Sequence, residues 1–499
     1  VPTLATSPDA DVSVWPMIID GRDAYAADGA LTEITSPSRP GLVLATVPRG
    51  QERDVDLAVE AALAAQPGWA ASHFTVRQRA LLAAADLIEE NAEELARLTA
   101  HDTGNALRPQ ARPEVASLVA LFRYFAGLAG EFKGTVLPAG DGQLQYTRIE
   151  PLGVVGAILP WNSPLMIAGM KLPAALAVGN ALVVKPADEA PLTILRLGQL
   201  LNTVLPPGVL NIVTGPGPTV GGAIVRHPGI HKVSFTGSTA VGREVARVAG
   251  ERLAHVSLEL GGKSPSIVFP SAATPERLTD TVRGLLLGMR FTRQGQSCTA
   301  GSRLLVHRSV YESVLTELKT QAAELVVGDP LDEATDMGAI ISTKQFQRIV
   351  DYVHSAKDDG VDVVLDGTGL VEDTETGGLF QGPTILAGVD NASRIAQEEV
   401  FGPVLVAMPF DSLEEAVAIA NDSPYGLAAY VWSHDLDEAL TAAARIESGW
   451  VQVNQGGGQV VGQSYGGYKD SGVGREFSLE GAIAAFSQIK QVNVRVGVG

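Results

Sequence analysis

Cysteine is almost absent: among 499 residues only Cys298 carries a thiol. A single cysteine closes no intramolecular disulfide, which excludes a disulfide-built secreted scaffold and points to a reducing compartment. Basic residues are scarce beside acidic ones, 37 Lys and Arg against 56 Asp and Glu, for a formal charge of −19. That balance argues against a nucleic-acid backbone or an anionic membrane surface as the main partner. No run of about 18 or more uncharged apolar residues stands out, so no membrane-spanning helix is expected. Residues 1–16 lack the basic stretch and apolar run of a secretory leader, and a cytoplasmic location is the expectation. The 54 glycines follow no strict period. This excludes collagen-like and solenoid architectures and points to many tight turns.

What is present is the material of a large globular protein: 45% apolar and 19% charged residues, with a length that suggests about three domains. Residues 55–100 are rich in Ala, Leu, Glu and Arg, with apolar positions every three or four, and read as amphipathic helices. From Leu152 to Ser238, short apolar runs (Val154 to Leu159, Ala181 to Val184, Leu210 to Val213, Val233 to Phe235) alternate with helical patterns. That alternation signals βαβ units around a parallel sheet. A second series places strands at Ser266 to Phe269, Arg303 to Val306, Val361 to Leu365, Val404 to Pro409 and Ala429 to Trp432. Helices are expected between them at Tyr311 to Val326 and Leu413 to Ala420.

The expected fold is therefore α/β, with two such domains. Two segments fit neither: Thr135 to Glu150, with a turn at Gly140-Asp141-Gly142, and the alternating tail Gln491 to Val498. Each would leave an unpaired strand edge on a monomer, so both are expected in an oligomerisation arm.

Several residues are chemical candidates, and each also has an ordinary explanation. Cys298 lies in a loop of small and polar residues just before a strand; it is either a small buried hydrophobe or a nucleophile, and the latter requires a thiolate. Glu259, in Leu258-Glu-Leu-Gly-Gly-Lys263, is either a salt-bridged carboxylate or, sheltered by Leu258 and Leu260, a base of raised pKa. Asn162 follows a buried strand at its carboxyl end, as a turn residue or as a donor to an oxyanion. Phe235-Thr-Gly-Ser-Thr-Ala-Val-Gly242 follows a strand and opens a helix, so Ser238 could cap that helix while its amides face a phosphate. The glycines Gly237 and Gly242 are not spaced as in the dinucleotide fingerprint. Lys185 and Asp188, after another strand, are either surface residues or contacts to a ribose and its phosphate.

In their order, Pro160-Trp-Asn162, Lys185-Pro-Ala-Asp188, Phe235-Thr-Gly-Ser238, Glu259-Leu-Gly-Gly262, Gly295-Gln-Ser-Cys298, Glu399-Val-Phe-Gly-Pro403 and Gly466-Gly-Tyr-Lys-Asp-Ser-Gly472 resemble the aldehyde dehydrogenase superfamily, from about Ile18 to Val496. The resemblance implies a Rossmann-like cofactor domain (1–134 and 151–258) and a catalytic domain (259–456). It also implies a small β arm (135–150 and 480–499), with 457–479 returning to line the site. It assigns Cys298 as the nucleophile, Asn162 as the oxyanion donor and Glu259 as the base that activates water against a thioester. Lys171 and Glu476 match a buried polar pair behind that base.

The same resemblance gives the cofactor contacts. Lys185 and Asp188 match those to the adenosine ribose and Ser238 a pyrophosphate contact, with Gly237, Gly261 and Trp161 in the same site. Glu399 and Phe401 match contacts on the nicotinamide-ribose side. No metal is implied, and a homodimer or homotetramer is expected.

The chain departs from the family pattern at points that concern specificity. Position 188 is Asp where many NAD-preferring members carry Glu; a shorter carboxylate still repels a 2′-phosphate, so NAD is favoured and NADP use is not excluded. Ser464-Tyr465 replaces the usual Pro-Phe, after a glycine-rich stretch from Asn454 to Val461. Correspondence with the family places Trp161, Met170, Thr292, Val461 and Tyr465 near the aldehyde, a largely apolar lining that favours an aromatic or medium-chain aldehyde. Arg293 is the counter-indication: a guanidinium there could pair with the carboxylate of a semialdehyde, or be a surface or interdomain arginine. The pattern also admits a CoA-acylating enzyme and a catalytically silent family member. Glu259 argues against the first, and the set Cys298, Glu259 and Asn162 against the second.

Overall fold

The computed structural model describes residues 3–5, 7, 11–368 and 377–496. Its first sheet runs, in spatial order, Arg22–Ala24, Met17–Ile19, Leu210–Ile212, Ala181–Lys185, Val154–Ile158, Lys232–Thr236, His255–Glu259 and Gly472–Val473. The five strands from Leu210–Ile212 to His255–Glu259 are parallel. They are apolar on both faces because helices cover both. Val155, Ala157, Leu182 and Val184 pack into one cluster, with Leu118, Leu165 and Leu195. Their neighbours Val154, Ile158, Ala181 and Val183 pack into another, with Val55, Val59 and Ile224. This is the period-two alternation of a strand carried to two different cores.

Strand order reverses beside Val154–Ile158: the next two strands in sequence lie on one side of it, and Lys232–Thr236 and His255–Glu259 on the other. Such a switch point opens a crevice at the carboxyl ends of the strands. The helix Pro164–Val178 starts there. All of its residues are buried, Lys171 included, as expected of a helix that is apolar on nearly every side. Its first turn is satisfied from outside, since the buried Glu114 carboxylate accepts the N–H groups of Leu165 (2.9 Å) and Met166 (3.1 Å).

The second sheet has the order Asp362–Leu365, Thr384–Ala387, Val404–Phe410, Arg303–His307, Pro265–Val268, Ala428–Trp432 and Trp450–Val453. It is parallel except for the antiparallel edge strand Asp362–Leu365. The chain passes from the carboxyl end of His255–Glu259 in the first sheet directly to the amino end of Pro265–Val268 in the second. The carboxyl ends of one sheet therefore face the amino ends of the other across Leu260 to Ser264. This opposition positions the site described below.

Some expectations need correction. The hairpin and the tail do not leave separate edges: Ser487–Arg495 pairs along its whole length with Gln143–Pro151, which also pairs with Val136–Leu137. Strand pairing satisfies each one's backbone, leaving only the outer edges of this three-stranded sheet. Residues 480–486 are not strand but part of the helix Leu479–Phe486, whose apolar side is buried. Within 457–479, Gly472–Val473 extends the first sheet antiparallel to Leu258 and Glu259. The end of the alternating tail, at Val498, lies outside the described residues. Among those residues no helix is long and apolar enough to cross a membrane.

Candidate active site

Cys298 sits where the helix Leu278–Met289 has ended and the strand Arg303–His307 has not begun. The connecting loop is held by left-handed residues at Arg290, Gln294 and Gly295. A Cβ on Gly295 would collide with the Gly402 carbonyl, so this turn requires glycine. Gln294 and Gln296 are buried and act as internal struts. The Gln294 amide donates to Gly104 O (2.9 Å), and Gln296 Oε1 accepts the Ile341 N–H (3.2 Å).

Cys298 is half-buried. The dense protein around it pushes its pKa up to about 11, the Tyr465 phenol pulls it down by hydrogen bonding, the Glu399 and Glu259 carboxylates push it further up, and the Arg293 guanidinium pulls it down.

Asn162 arrives from the switch point of the first sheet. Its Nδ2 donates to Gln296 O (2.8 Å), and its own carbonyl accepts from the Asn105 amide (3.0 Å). One N–H of the Asn162 amide thus anchors it to the cysteine loop, leaving the other for a ligand.

Glu259 ends its strand 3% exposed, with both carboxylate oxygens buried and without a hydrogen-bond partner. Burial, and then the neighbouring Glu476 carboxylate, hold its pKa well above the usual carboxylate range, against the opposing Lys171 and Arg475 cations. Behind it, Lys171 Nζ meets both Glu476 oxygens (2.9 and 3.1 Å) in a fully buried ion pair. The Ser234 and Ser257 hydroxyls donate to Glu476 Oε1, each at 2.8 Å. Burial alone would raise the Glu476 pKa, but Lys171 and the two hydroxyls hold it below the usual value.

These groups open onto a cleft of about 380 Å³ at the switch point, lined by Trp161, Asn162, Gly237, Ser238, Glu259, Gly261, Cys298, Glu399 and Phe401 among others. Ser238 caps the helix Thr239–Glu251 by accepting the Val241 N–H, so that helix points its amino end at the cleft. Glu399 Oε1 accepts the Gly262 N–H (2.8 Å), and a Cβ on Gly261 would lie 2.6 Å from its other oxygen. The absence of a side chain at Gly261 leaves room for this carboxylate, whereas a Cβ on Gly262 would collide with the Cys298 carbonyl. Burial pushes Glu399 up to about 7, against the pull of the Gly262 N–H and of Arg348 and Lys263. The Trp161 and Phe401 rings meet edge-on at 5.3 Å. Lys185 is buried, not on the surface, and holds Asp188 Oδ1 at 2.6 Å. Asp188 Oδ2 accepts the Gly217 N–H (3.0 Å) and lies on a separate cavity of about 330 Å³ with Arg49 and Pro216.

The residues expected around an aldehyde are less uniformly placed, and Met170, Thr292, Arg293, Val461 and Tyr465 do not line the large cleft. Met170 is 1% exposed in the core, and Val461 packs against that same core. Thr292 is half-buried. Tyr465 reaches Cys298 Sγ with its phenol oxygen at 3.7 Å. Arg293 is half-buried against the Gln110 side-chain amide, and burial lowers its pKa, opposed by the Glu114 carboxylate. It is therefore not a surface arginine.

The aldehyde dehydrogenase family model matches residues 25–492. The chain belongs to the aldehyde dehydrogenase family. Among curated relatives it is 41% identical to a phenylacetaldehyde dehydrogenase of Pseudomonas fluorescens, covering 92% of each chain. It is 38% identical to a hydroxyisobutyraldehyde dehydrogenase of Mycolicibacterium austroafricanum, covering 99% of this chain and 96% of that one. Among solved structures, the NAD+ complex of an aldehyde dehydrogenase from Bacillus cereus superposes with a TM-score of 0.93 at 37% identity, covering 99% and 100% of the two chains. The α/β fold is that of this family.

Sequence reasoning missed part of the cleft wall. Glu189, Ser342, Lys344, Gln345 and Arg348 also line it. Gln345 donates to Val400 O (3.1 Å) and Phe401 O (2.9 Å), and Arg348 to Glu399 O (2.6 Å). These contacts join the start of the helix Thr343–Asp358 to the segment bearing Glu399 and Phe401. Polar residues at the start of a half-exposed helix carry no signal of their own. Only the packing of two remote segments puts them at a site.

Proposed function

We propose that this aldehyde dehydrogenase oxidises a hydrophobic aldehyde, aromatic or of medium chain length, to the free carboxylic acid with NAD as acceptor. The observation that carries the reading is the convergence of Cys298, Asn162 and Glu259 on the one cleft that also presents Ser238, Glu399 and Phe401. The cleft suits a dinucleotide. A capped helix amino end faces it, the Thr236 hydroxyl is buried there without a partner, and Gly237 and Gly261 bring backbone to its wall. Ser238 would meet the pyrophosphate, Lys185 and Asp188 the adenosine ribose, and Glu399 and Phe401 the nicotinamide side. Bound there, NAD supplies the acceptor for a hydride.

The protein's own groups carry out the remaining steps. Cys298 Sγ, as thiolate, bonds to the aldehyde carbon, and the carbonyl electron pair moves onto oxygen. The free N–H of Asn162 and the Cys298 backbone N–H would hold that oxyanion. Departure of the hydride from the same carbon leaves a thioester. Glu259, unpaired and of raised pKa, takes a proton from water, whose oxygen attacks the thioester carbon as the C–S bond breaks. Lys171 keeps Glu476 charged and in place behind Glu259. The direct test is NADH absorbance with a panel of aldehydes: formation with benzaldehyde or hexanal supports the reading, and none with any aldehyde overturns it.

For the substrate, the Tyr465 ring beside Cys298 and the Trp450 ring packed on it at 6.1 Å supply aromatic surface near the reacting sulfur, and each buried methylene is worth about 0.8 kcal/mol. The phenylacetaldehyde dehydrogenase relative is consistent with this preference. A semialdehyde enzyme would need a cation free to meet a second carboxylate, and Arg293 lies half-buried against the Gln110 side-chain amide, outside the lining of the cleft. We expect kcat/KM for benzaldehyde or hexanal to exceed that for succinic semialdehyde by about tenfold, some 1.4 kcal/mol; the reverse ratio would refute the assignment.

We further propose a homodimer or homotetramer, because the arm sheet keeps free outer edges and exposes Val136, Ile489 and Val496 (69%, 68% and 55%). Light scattering at micromolar concentration should give a multiple of 52.1 kDa. A monomeric mass would contradict the proposal.

A further inference from the structure

The phenol of Tyr465 has no part in the steps above, yet it is one of the nearest polar groups to the reacting atom. Its oxygen lies 3.7 Å from Cys298 Sγ, and among the described residues it has no other hydrogen-bond partner. The side chain is 3% exposed and is held from two directions. Its backbone pairs reciprocally with Glu476: the Tyr465 N–H donates to Glu476 O (3.1 Å), and the Glu476 N–H donates to Tyr465 O (2.8 Å). Trp450 packs edge-on against its ring. Because Glu476 is itself fixed by Lys171, the phenol is anchored to the most buried ion pair of the site.

A buried hydroxyl whose sole partner is a thiol makes a weak hydrogen bond, since neutral sulfur is a poor acceptor. The same O–H facing a thiolate makes a charge-assisted bond, which is substantially stronger. The charged groups that bear on the sulfur are Glu259 and Glu399, which oppose a negative charge there, and Arg293, which favours it. The phenol is the neutral hydrogen-bonding group beside the same atom, and toward a thiolate it can only donate.

We propose that Tyr465 is a further catalytic residue of this chain, its O–H donating to Cys298 Sγ and stabilising the thiolate that attacks the aldehyde. The proposal rests on the assignment of Cys298 as nucleophile. Tyr465 neither gains nor loses a proton in this role. The thiol proton leaves to water, the S–C bond forms, and the hydrogen bond weakens as charge passes from sulfur to the carbonyl oxygen.

The test uses the fact that Cys298 is the only cysteine, so that iodoacetamide gives one adduct whose rate reports one thiol. The rate is measured against pH for the wild-type protein and for Tyr465→Phe, with mass spectrometry confirming a single adduct. Phenylalanine keeps the ring and its contact with Trp450 and removes only the donor. We expect the midpoint of the Tyr465→Phe profile to rise by about 0.5 to 1 unit, and alkylation near neutral pH to slow by about three- to tenfold, with a comparable loss in kcat/KM. An unchanged midpoint overturns the proposal whatever happens to turnover, because a merely structural role would leave the ionisation in place. Should Tyr465→Phe fail to fold, wild-type protein carrying 3-fluorotyrosine, a stronger donor, is expected to show a lower midpoint, and no shift again overturns it. If the wild-type protein forms no NADH with any aldehyde, the function proposed above fails, while the alkylation profile still decides the role of the phenol.

Discussion

Cys298→Ser is expected to abolish NADH formation, with a loss of about 10³-fold or more in kcat/KM, while NAD binding survives. The serine hydroxyl has a far higher pKa than a thiol, and among the described residues the side-chain hydrogen-bond partner at position 298 is a phenol, Tyr465, not a base. The proposed cofactor contacts are other residues, Ser238 and Glu399 in the cleft and the Lys185–Asp188 pair outside it, so quenching of protein fluorescence by NAD should be little changed. Steady turnover by the serine variant would refute the covalent route.

Glu259→Gln is expected to separate the two halves of the reaction. Cys298 and Asn162 are untouched, so one equivalent of NADH should form at the wild-type rate. Turnover should then nearly stop, because no base activates water and the thioester accumulates. Stopped-flow absorbance would show a burst of one NADH per site, and mass spectrometry an acylated Cys298. Undiminished steady-state turnover would remove Glu259 from the mechanism.

The raised pKa of Glu259 gives two further signs. As a base it works ionised, so wild-type kcat should fall as pH drops through its folded value, and the residual rate of the variant should lack that limb. For stability the sign is opposite. A carboxyl whose pKa is higher folded than unfolded contributes less stability as pH rises through the folded value, since ionising it in place is costly. Glu259→Gln should therefore melt higher than wild type at alkaline pH, and the difference should shrink towards acid. A melting difference that grew towards acid would contradict the unpaired, buried state of this carboxylate.

Local sequence carried much of this protein's plan. Runs such as Val154 to Leu159 and Ala181 to Val184 are apolar at every position because they are buried on both faces, and that signal survives in isolation. The cysteine loop, the paired glycines after Glu259 and the serine after Gly237 were legible for a similar reason. Each is a short segment whose residue types are dictated by close backbone approach or helix capping, and the order of such segments along the chain marks the family.

Not every short strand was legible. Thr384–Ala387 and Trp450–Val453 are four residues each, no shorter than Pro265–Val268, which its apolar run disclosed, and pairing with a neighbouring strand defines them. The arm shows the same limit: Thr135 to Glu150 and Gln491 to Val498 each read as leaving an exposed strand edge, and only the fold, by bringing residues more than 300 apart into register, makes Gln143–Pro151 and Ser487–Arg495 partners.

The electrostatics of the site likewise belong to tertiary structure. Nothing near Glu259 in sequence says that Glu476 and Lys171 lie behind it, and nothing near Arg293 says that Gln110 lies beside it. Nor does anything near Cys298 place a phenol from position 465 at its sulfur. Burial and charge proximity act through space, so sequence alone determined which groups are available for chemistry, and the packing of the two sheets end to end decided which of them meet and in what protonation state.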